Sequence, residues 1–548
     1  MLPGGQKGIW KNLPVLAMST TDTQLPRGPT LNSPPSPSTK KAWGDRFQHH
    51  PVIISLYLTL FLSALDVTIV APALPIIASS LSATTSQYTW VGSAYTLAST
   101  STTPLWARIS DIWGRKIVLM VTNAVFMIGS LVCALSISPM MLIGGRVVQG
   151  IGGGGIIVMV TIIISDLFEL RVRAKYYALT GIGWAVASGV GPILGGVFTE
   201  TVGWRWCFYI NLPFDGLSFI LLLFCMRLPK PPILTTPATL RTFDFLGSTL
   251  IIAGTVLFLY GLESGSSASH PWSSAHTLGL LLGGLSILAL FITYEIRWAK
   301  SPILPIKTLF TKRTIPPLLT ATLHNFTFIP YTYFNPLYFQ SLLGVRPIQS
   351  GLYLFALVLP LSAATLASGL YVKRTGSYRP LIWISGAIML TGTGLFISFS
   401  QTLNLAKIVV YQLVAGIGAG PLFQAPMIAF QAQLEERDVA SGNAALAFLK
   451  NLATSSSLVL GGVVLQGSAA TGSSHGGMVD LGDEERGVFM EGLRNMWVFY
   501  TAVCGVMWFS SFVIRGRSLS PGAQRKEDEG SERKQGTAAV NVADDVER

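Results

Sequence analysis

Charge is what this sequence has least of. Asp, Glu, Lys and Arg make up 12% of its 548 residues, about half the share of a soluble globular protein, which excludes a surface solvated on all sides. Cysteine is scarce too: there are four, with no CxxC spacing and no disulfide framework. Cys133, Cys225 and Cys504 lie inside apolar runs and Cys207 near the edge of one, so all read as packing residues. Of six histidines only His324 lies in the body of an apolar run, and no HExxH, GxSxG or paired-carboxylate cluster occurs. GxxxxGK[ST] is absent, and the chain contains no Gly-Lys dipeptide at all, so ATP-driven work by this polypeptide is not expected and an ion gradient is the energy source to look for. The chain is not expected to be an enzyme, and no metal or cofactor is expected.

Apolar residues are abundant, 50% of the chain, and are arranged in long runs bounded by charged or Pro/Gly clusters. Fourteen candidate spans lie at 52–75, 88–109, 117–137, 140–164, 176–199, 206–227, 245–262, 276–297, 315–341, 350–371, 380–399, 405–430, 441–466 and 494–514, many of them at or above the roughly 18 to 20 residues that cross a bilayer. Loops after even-numbered spans hold eighteen Lys and Arg, loops after odd-numbered spans five. Because short cytosolic loops hold such residues in excess, the even loops and both termini are expected in the cytosol. The net charge of +12 is thus spread over many loops rather than gathered on one face, which argues against a nucleic-acid partner. Residues 1–50, rich in Pro, Ser and Thr and without an apolar run before a cleavage site, read as a disordered cytosolic tail. Residues 516–548, which mix both charge signs, read as another.

The stretch RVVQGIGGGGII, Arg146 to Ile157, raises the first chemical question. Gly150, Gly152 and Gly155 match the GxGxxG spacing of a dinucleotide loop, but that fingerprint needs a strand before it, and an open-edged strand inside a membrane span leaves its backbone unsatisfied. Small residues in a membrane helix have another use, the close approach of two backbones. The device occurs twice. GIGGGG at 150–155 and GIGAGP at 416–421, LGGVF at 194–198 and LGGVV at 460–464, and Arg171 and Arg437 are all 266 residues apart. One offset carrying several matches implies duplication of a six-span unit. The expected organisation is an N-terminal six-helix bundle at 51–228, a linker with two extra transmembrane helices at 229–300, and a C-terminal six-helix bundle at 301–515. Parallel repeats of this kind organise secondary transporters, with the substrate between halves near mid-bilayer.

Five segments in order then carry a family resemblance. LDVTIVAPALP (Leu65 to Pro75), ARISDIWGRK (Ala107 to Lys116), RVVQGIGGGG, GVGPILGG (Gly189 to Gly196) and WRWCFYINLPF (Trp204 to Phe214) resemble the first-span, loop, fourth-span, fifth-span and sixth-span motifs of one family. That family is the major facilitator superfamily, and within it the fourteen-span drug:proton antiporters of the fungal toxin and multidrug efflux type. The resemblance covers about residues 50–515. It implies an all-α membrane protein with the major facilitator fold, two six-helix bundles in pseudo-two-fold repeat plus two extra spans, fourteen transmembrane helices in all. It also implies a secondary active transporter, monomeric and multi-pass in the plasma membrane, that exports a small amphipathic organic compound in exchange for protons by alternating access. Ala107 and Ala187 stand where the family usually has glycine, and alanine still packs closely. A fourteen-span siderophore importer would share the topology, but the fifth-span motif is of the export type. A non-transporting membrane sensor would share the fold and would need neither Asp66 nor Arg146.

Particular residues follow from cost. A charge at the centre of a span costs roughly 2.5–3.5 kcal/mol on insertion scales, so it should be paired or hydrated. Asp66 on span 1 and Arg146 on span 4 fall at similar depth in the outer half of the membrane, and are expected to face each other or share one cavity. A carboxylate that gains and loses a proton as its partner changes would couple a proton gradient to a conformational cycle, and the resemblance implicates the fourth-span Arg in this; the alternative is a static ion pair that only fixes helix register. Lys450 on span 13 has a stem long enough to snorkel, the alternative being a role in binding an anionic substrate. Asp111, Gly114, Arg115 and Lys116 read by themselves as cytosolic anchors with one surface ion pair; the resemblance implies a gating loop, in which Asp111 meets a helix N-terminus of its own half. Gly150, Gly152, Gly195 and Gly196 are expected to admit neighbouring helices, and Gly191 with Pro192 to allow a kink. For substrate, span 9 mixes aromatic rings with amides: Asn325, Phe328, Tyr331 and Asn335, with Gln149 and Gln424 from other spans, are expected to line the cavity. Asn325-Phe326-Thr327 fits a glycosylation sequon, unused inside a span.

Overall fold

A computed structural model describes residues 49–70, 73–83, 85–226, 243–265, 271–299, 301–304, 306–467 and 483–517. The expected tails, but for their inner edges, lie outside these residues, as do Arg227, Lys230, Arg241 and Lys300. Among the described residues the regular structure is helical, the form in which a lipid-embedded chain satisfies every backbone group within its own segment.

The first group of helices is α1 (His49–Ile69), α2 (Leu74–Ser80), α3 (Thr85–Trp113), α4 (Arg115–Ala134), α5 (Pro139–Leu167), α6 (Leu170–Thr201), α7 (Trp206–Tyr209) and α8 (Asn211–Cys225). A pair follows, α9 (Phe245–Gly265) and α10 (Ala275–Arg297), then short α11 (Ile306–Leu309). The last group is α12 (Ile315–Leu337), α13 (Pro347–Thr375), α14 (Arg379–Phe396), α15 (Leu405–Leu422), α16 (Ala425–Gln431), α17 (Val439–Gly467) and α18 (Asp483–Ser511). Each expected span coincides with one helix or with consecutive ones: α1 with α2, α7 with α8, α15 with α16, and α12 with a π-helical turn at Tyr338–Leu342. Among the described residues ten helical segments are long and apolar enough to cross a membrane. The spans at α3, α12, α14 and α18 are not among them, and those helices are packed against neighbours, α3 on α5 and α17, α12 on α17 and α18, α14 on α15 and α18. A polar side chain turned toward another helix escapes the cost it would meet in lipid.

Local chemistry sets the boundaries. Ser138, Ser274 and Asn404 cap α5, α10 and α15, each side-chain oxygen accepting from the amide three residues on. Gly114, at φ 89°, turns the chain from α3 into α4 in one residue, a conformation costly for any side chain.

The glycine run explains how the helices meet. A Cβ at Gly150 would sit 2.4 Å from the Tyr95 carbonyl oxygen of α3, one at Gly152 2.5 Å from the Phe126 nitrogen of α4, and one at Gly154 2.6 Å from the Ser99 carbonyl of α3. In the second group Gly416, Gly418 and Gly420 stand in the same relation to Leu357, Met389 and Leu361 of α13 and α14, at 2.4, 2.2 and 2.5 Å. Backbone thus touches backbone on both sides of α5 and again on both sides of α15. The two groups join where α6 packs on α13 and α3 on α17, while α9 and α10 pack together and α9 leans on α3 and α17. Gly191 seats α6 on Thr68 of α1, and Thr68 Oγ1 donates to the Ala187 carbonyl at 2.9 Å. Pro192 lies within the unbroken α6. Gly196 departs from expectation: a Cβ there meets nothing within 4 Å, so it admits no neighbouring helix.

This contrast can be measured. Gly152→Leu forces side-chain atoms into the α4 backbone and should cost at least about 2 kcal/mol of stability, whereas Gly196→Ala should leave it unchanged. Thermal unfolding midpoints of the purified proteins in detergent read both; equal midpoints would show that the α4–α5 contact is not backbone-limited.

Candidate functional site

Asp66 and Arg146 are brought together. Asp66 lies near the end of α1 and Arg146 in the second turn of α5, and they form a buried ion pair through Arg146 Nη1 and Asp66 Oδ2, with 0% and 2% of each residue exposed. Two buried charges in a low-dielectric interior persist only when the remaining donors and acceptors are also satisfied. Here they are. Gln149 Nε2 donates to Asp66 Oδ1 at 2.7 Å while its Oε1 accepts from Arg146 Nη1 at 2.7 Å. Asn211 Nδ2 of α8 donates to the same Asp66 oxygen at 3.1 Å, Arg146 Nε donates to the Val91 carbonyl at 3.2 Å, and the guanidinium lies over the Tyr95 ring at 4.6 Å. Ser130 of α4 accepts from both Gln149 and Asn211.

The cluster corrects one expectation and adds one residue. Gln149 does not line a substrate cavity: it is enclosed between the paired charges. Asn211, which sequence reasoning passed over, belongs to the same network, and the signal was an amide at the start of a span at the depth of Asp66.

At the end of the bundle where the basic loops gather, Asp111 accepts from Arg115 Nη1 at 2.6 Å and lies 3.8 Å from Arg108, while Arg115 Nε donates to Asp166 at 2.9 Å. Lys116 donates to the Leu223 carbonyl of α8 at 2.7 Å. The partners of Asp111 are therefore guanidiniums of its own half rather than helix N-terminal amides. The same end holds the two groups of helices together. Arg171 of α6 donates to the carbonyls of Lys373 and Arg374 that end α13. Gln431 of α16 accepts from Arg173 at 3.3 Å and donates to the Tyr177 hydroxyl at 3.1 Å and to Asn443 at 2.7 Å, and Asn443 of α17 donates to Ser165 of α5 at 3.3 Å. Arg437, the repeat counterpart of Arg171, is exposed and pairs only locally with Glu435 and Asp438.

The span 9 residues divide. Tyr331 is enclosed in the second group among Phe396, Trp497 and Thr393, so it is core and not cavity lining. Asn325 donates to Thr454 of α17 at 3.2 Å. Phe328 packs against His324 and Phe423. Asn335 and Gln424 are buried with no hydrogen-bond partner for either amide atom. Gln424 faces the other group of helices, its Nε2 lying 3.7 Å from where a Cβ of Gly181 on α6 would be, beside Thr365, whose hydroxyl is also without a partner. Lys450 is half-buried on α17, within electrostatic reach of His324. Among the described residues no group of three His, Cys, Asp or Glu could hold a metal ion, and the four cysteines are free.

Known proteins resemble the chain along most of its length. It matches the Major Facilitator Superfamily profile over residues 56–458. It is 40% identical over 498 residues to Efflux pump dotC of Dothistroma septosporum, which covers 86% of this chain and 84% of that protein. It is 32% identical over 530 residues to Efflux pump FUS6 of Gibberella fujikuroi, covering 91% and 94%. In fold it is similar to the human organic anion transporter MFSD10 (TETRAN), with a TM-score of 0.56 at 15% identity over 84% of this chain and 99% of that one.

The ion pair makes an asymmetric prediction. Arg146→Ala leaves the Asp66 charge buried without its partner and should cost about 3–5 kcal/mol of stability, and adding Asp66→Asn to the same protein should restore most of it. Thermal unfolding in detergent decides: a double variant no more stable than Arg146→Ala would mean the pair is not energetically coupled.

Proposed function

The chain belongs to the major facilitator superfamily, and from that premise we propose that it exports a small amphipathic organic compound, of the drug, toxin or secondary-metabolite class, in exchange for protons. The observation that carries the reading is the buried Asp66–Arg146 pair in a chain whose relatives are efflux pumps. We assign fourteen membrane spans, with the basic end and both termini in the cytosol, in the plasma membrane. The coincidence of every expected span with a helix and the gathering of basic loops at one end support this topology.

On this reading a route from proton to cargo runs through α1 and α6. Protonating Asp66 removes one of two opposed buried charges and frees Arg146, so the contacts that α1 makes at that depth must rearrange. Two residues on, Thr68 holds the α6 backbone at Ala187 and Gly191. The other side of α6 carries Gly181 and Gly189 against Thr365 and Phe355 of α13. A shift at Asp66 is thereby passed through one helix to the boundary between halves. At that boundary Gln424 and Thr365 offer unpaired polar atoms, and Phe423, Phe328 and His324 offer aromatic faces next to them. Such a lining suits a ligand held by apolar area and a few hydrogen bonds. The bonds of Arg171, Gln431 and Asn443 close the cytosolic side, so this is a conformation that must open there to load cargo.

Transport in inside-out vesicles tests the reading. A labelled amphipathic aromatic compound should accumulate when the lumen is acidified and stop doing so on adding a protonophore. Asp66→Asn should lose that accumulation by about tenfold or more while still exchanging labelled for unlabelled compound, since coupling is lost and binding is not. Undiminished accumulation in Asp66→Asn, or wild-type transport indifferent to the protonophore, would overturn it.

A further inference from the structure

One buried acid has no place in the mechanism so far. Asp215 is on α8, 0% of it is exposed, and neither carboxylate oxygen has a hydrogen-bond partner. A carboxylate anion in that condition lacks everything that makes buried charge tolerable: solvent, a counter-ion, or donors.

Its neighbours along α8 explain why it is there. Asn211, Asp215, Ser218 and Leu222 are the buried residues of the helix, spaced to fall on one face. One turn above, Asn211 donates to Asp66. One turn below, Ser218 meets Thr59 of α1 and donates to the Ser55 carbonyl at 2.9 Å, and Thr59 accepts from Asn123 of α4 at 3.3 Å. On α1, Thr59 and Ser55 lie two and three turns closer than Asp66 to the basic end, so Asp215 sits between the ion-pair cluster and a polar column leading toward the cytosol. Oδ1 of Asn211 and Oδ1 of Asn123 also find no donor. The column therefore has a surplus of acceptors, which an ionised Asp215 would worsen and a protonated one relieves.

The charged and titratable groups around it are few. α1 brings Asp66, whose charge Asp215 feels, with Tyr95 of α3 and Arg146 of α5 behind it. α4 brings Cys133 at its outer end and Lys116 at the basic end, the latter bonded to Leu223, and α7 brings Cys207. No cation pairs with Asp215 among the described residues.

We propose that Asp215 is a second proton-binding carboxylate, which holds a proton in this conformation while Asp66 is paired with Arg146, and which releases it on the cytosolic side, where the Ser218, Thr59 and Asn123 column lies. The proposal rests on the proton-exchange reading above. In the step, the O–H bond of Asp215 breaks and the proton joins water admitted from the basic end when the cytosolic contacts part. The carboxylate left behind is then neutralised by a proton that reached Asp66 from the outer side. One proton enters, one leaves, and no electrons move.

Full-length protein in lipid nanodiscs tests this in two ways. Dicyclohexylcarbodiimide modifies neutral carboxyl groups in apolar surroundings, and the tryptic peptide running from Trp206 to Arg227 contains Asp215 as its only acid. At neutral pH that peptide should carry the adduct in the wild type and lose it in Asp215→Asn. The infrared carbonyl band of a protonated carboxyl should weaken in Asp215→Asn and not in Asp66→Asn. In the vesicle assay Asp215→Asn should lose pH-driven accumulation of the labelled aromatic compound by about tenfold, with unlabelled-for-labelled exchange and unfolding midpoint intact. An unaltered infrared band together with no adduct overturns the protonation, and wild-type pH dependence in Asp215→Asn overturns its part in transport. Wild-type transport indifferent to the pH gradient would instead refute the antiport reading, leaving the band and adduct to decide the protonation.

Discussion

A carboxylate and a guanidinium facing each other inside a low-dielectric slab constrain everything near them. Each must be desolvated for the pair to form, and their mutual attraction offsets that cost only if the other lone pairs and N–H groups find partners. The glycines at 150–155 and the charge at 146 are one device in this light. Because Gly150, Gly153 and Gly154 let α5 lie against the backbone and tyrosine of α3, Arg146 comes within reach of the Val91 carbonyl and the Tyr95 ring. A bulkier helix face would hold α5 away and leave those N–H groups unmet. The resemblance of GIGGGG to a phosphate loop is thus incidental, since both motifs use glycine for close approach and here the object approached is another helix.

The second half keeps the packing and drops the charge. At the repeat offset Asp66 corresponds to Thr332 and Arg146 to Gln412, yet Gly416, Gly418 and Gly420 repeat the contacts of Gly150, Gly152 and Gly154. Gln412 even repeats part of the role of Arg146, donating to the Tyr353 carbonyl of the adjacent helix at 3.0 Å. The place of the ion pair is taken by an aromatic cluster of Tyr331, Phe396, Trp497 and Tyr500. On the proposed function this divergence separates two tasks: one half carries the titratable pair, and the other offers rings and amides. On the proposed function, coupling and recognition then meet where α6 crosses α13, the contact through which a change in the first half reaches the second.

Hydropathy made the helices legible because lipid imposes a length and an apolarity on anything that crosses it. The divisions at Ile69–Leu74 and Leu422–Ala425 were less visible, although prolines mark both places, since a span reads the same by composition whether it is one helix or two. The depth of Asp66 and Arg146 was legible from the rise per residue. The direction of Gln149 was not: three residues from Arg146, it shares that face of α5, but only neighbours decide whether a face meets a cavity or a core. Asp215 is readable as an intramembrane acid with polar companions at helical spacing, but it directly follows WRWCFYINLPF, whose family likeness is the louder signal. The contacts of Arg173, Tyr177 and Ser165 with Gln431 and Asn443 join residues more than 250 apart. Pairing at that separation leaves no periodic trace in a single sequence.

Those cross-half contacts have a size that matters. Of the five, three have a guanidinium donor, Arg171 twice and Arg173 once, each reaching a neutral carbonyl oxygen, and two are amide bonds to hydroxyls, with no carboxylate among the acceptors. Neutral bonds contribute about 0.5–1.5 kcal/mol each and bonds with one charged partner about 1.5–3, net of what water would supply, so the closure as a whole is worth on the order of 5–10 kcal/mol. Shifting a two-state equilibrium from almost all closed to almost all open needs about 5.5 kcal/mol, the same order. A gate built from ion pairs buried as deeply as Asp66 and Arg146 would be held shut beyond the reach of one proton and one ligand. A gate with no cross-half bonds would leak. On the proposed function the buried Asp66–Arg146 charges sit inside one half, where they need not separate across a moving boundary, and the boundary itself is fastened with bonds weak enough to be broken in each cycle.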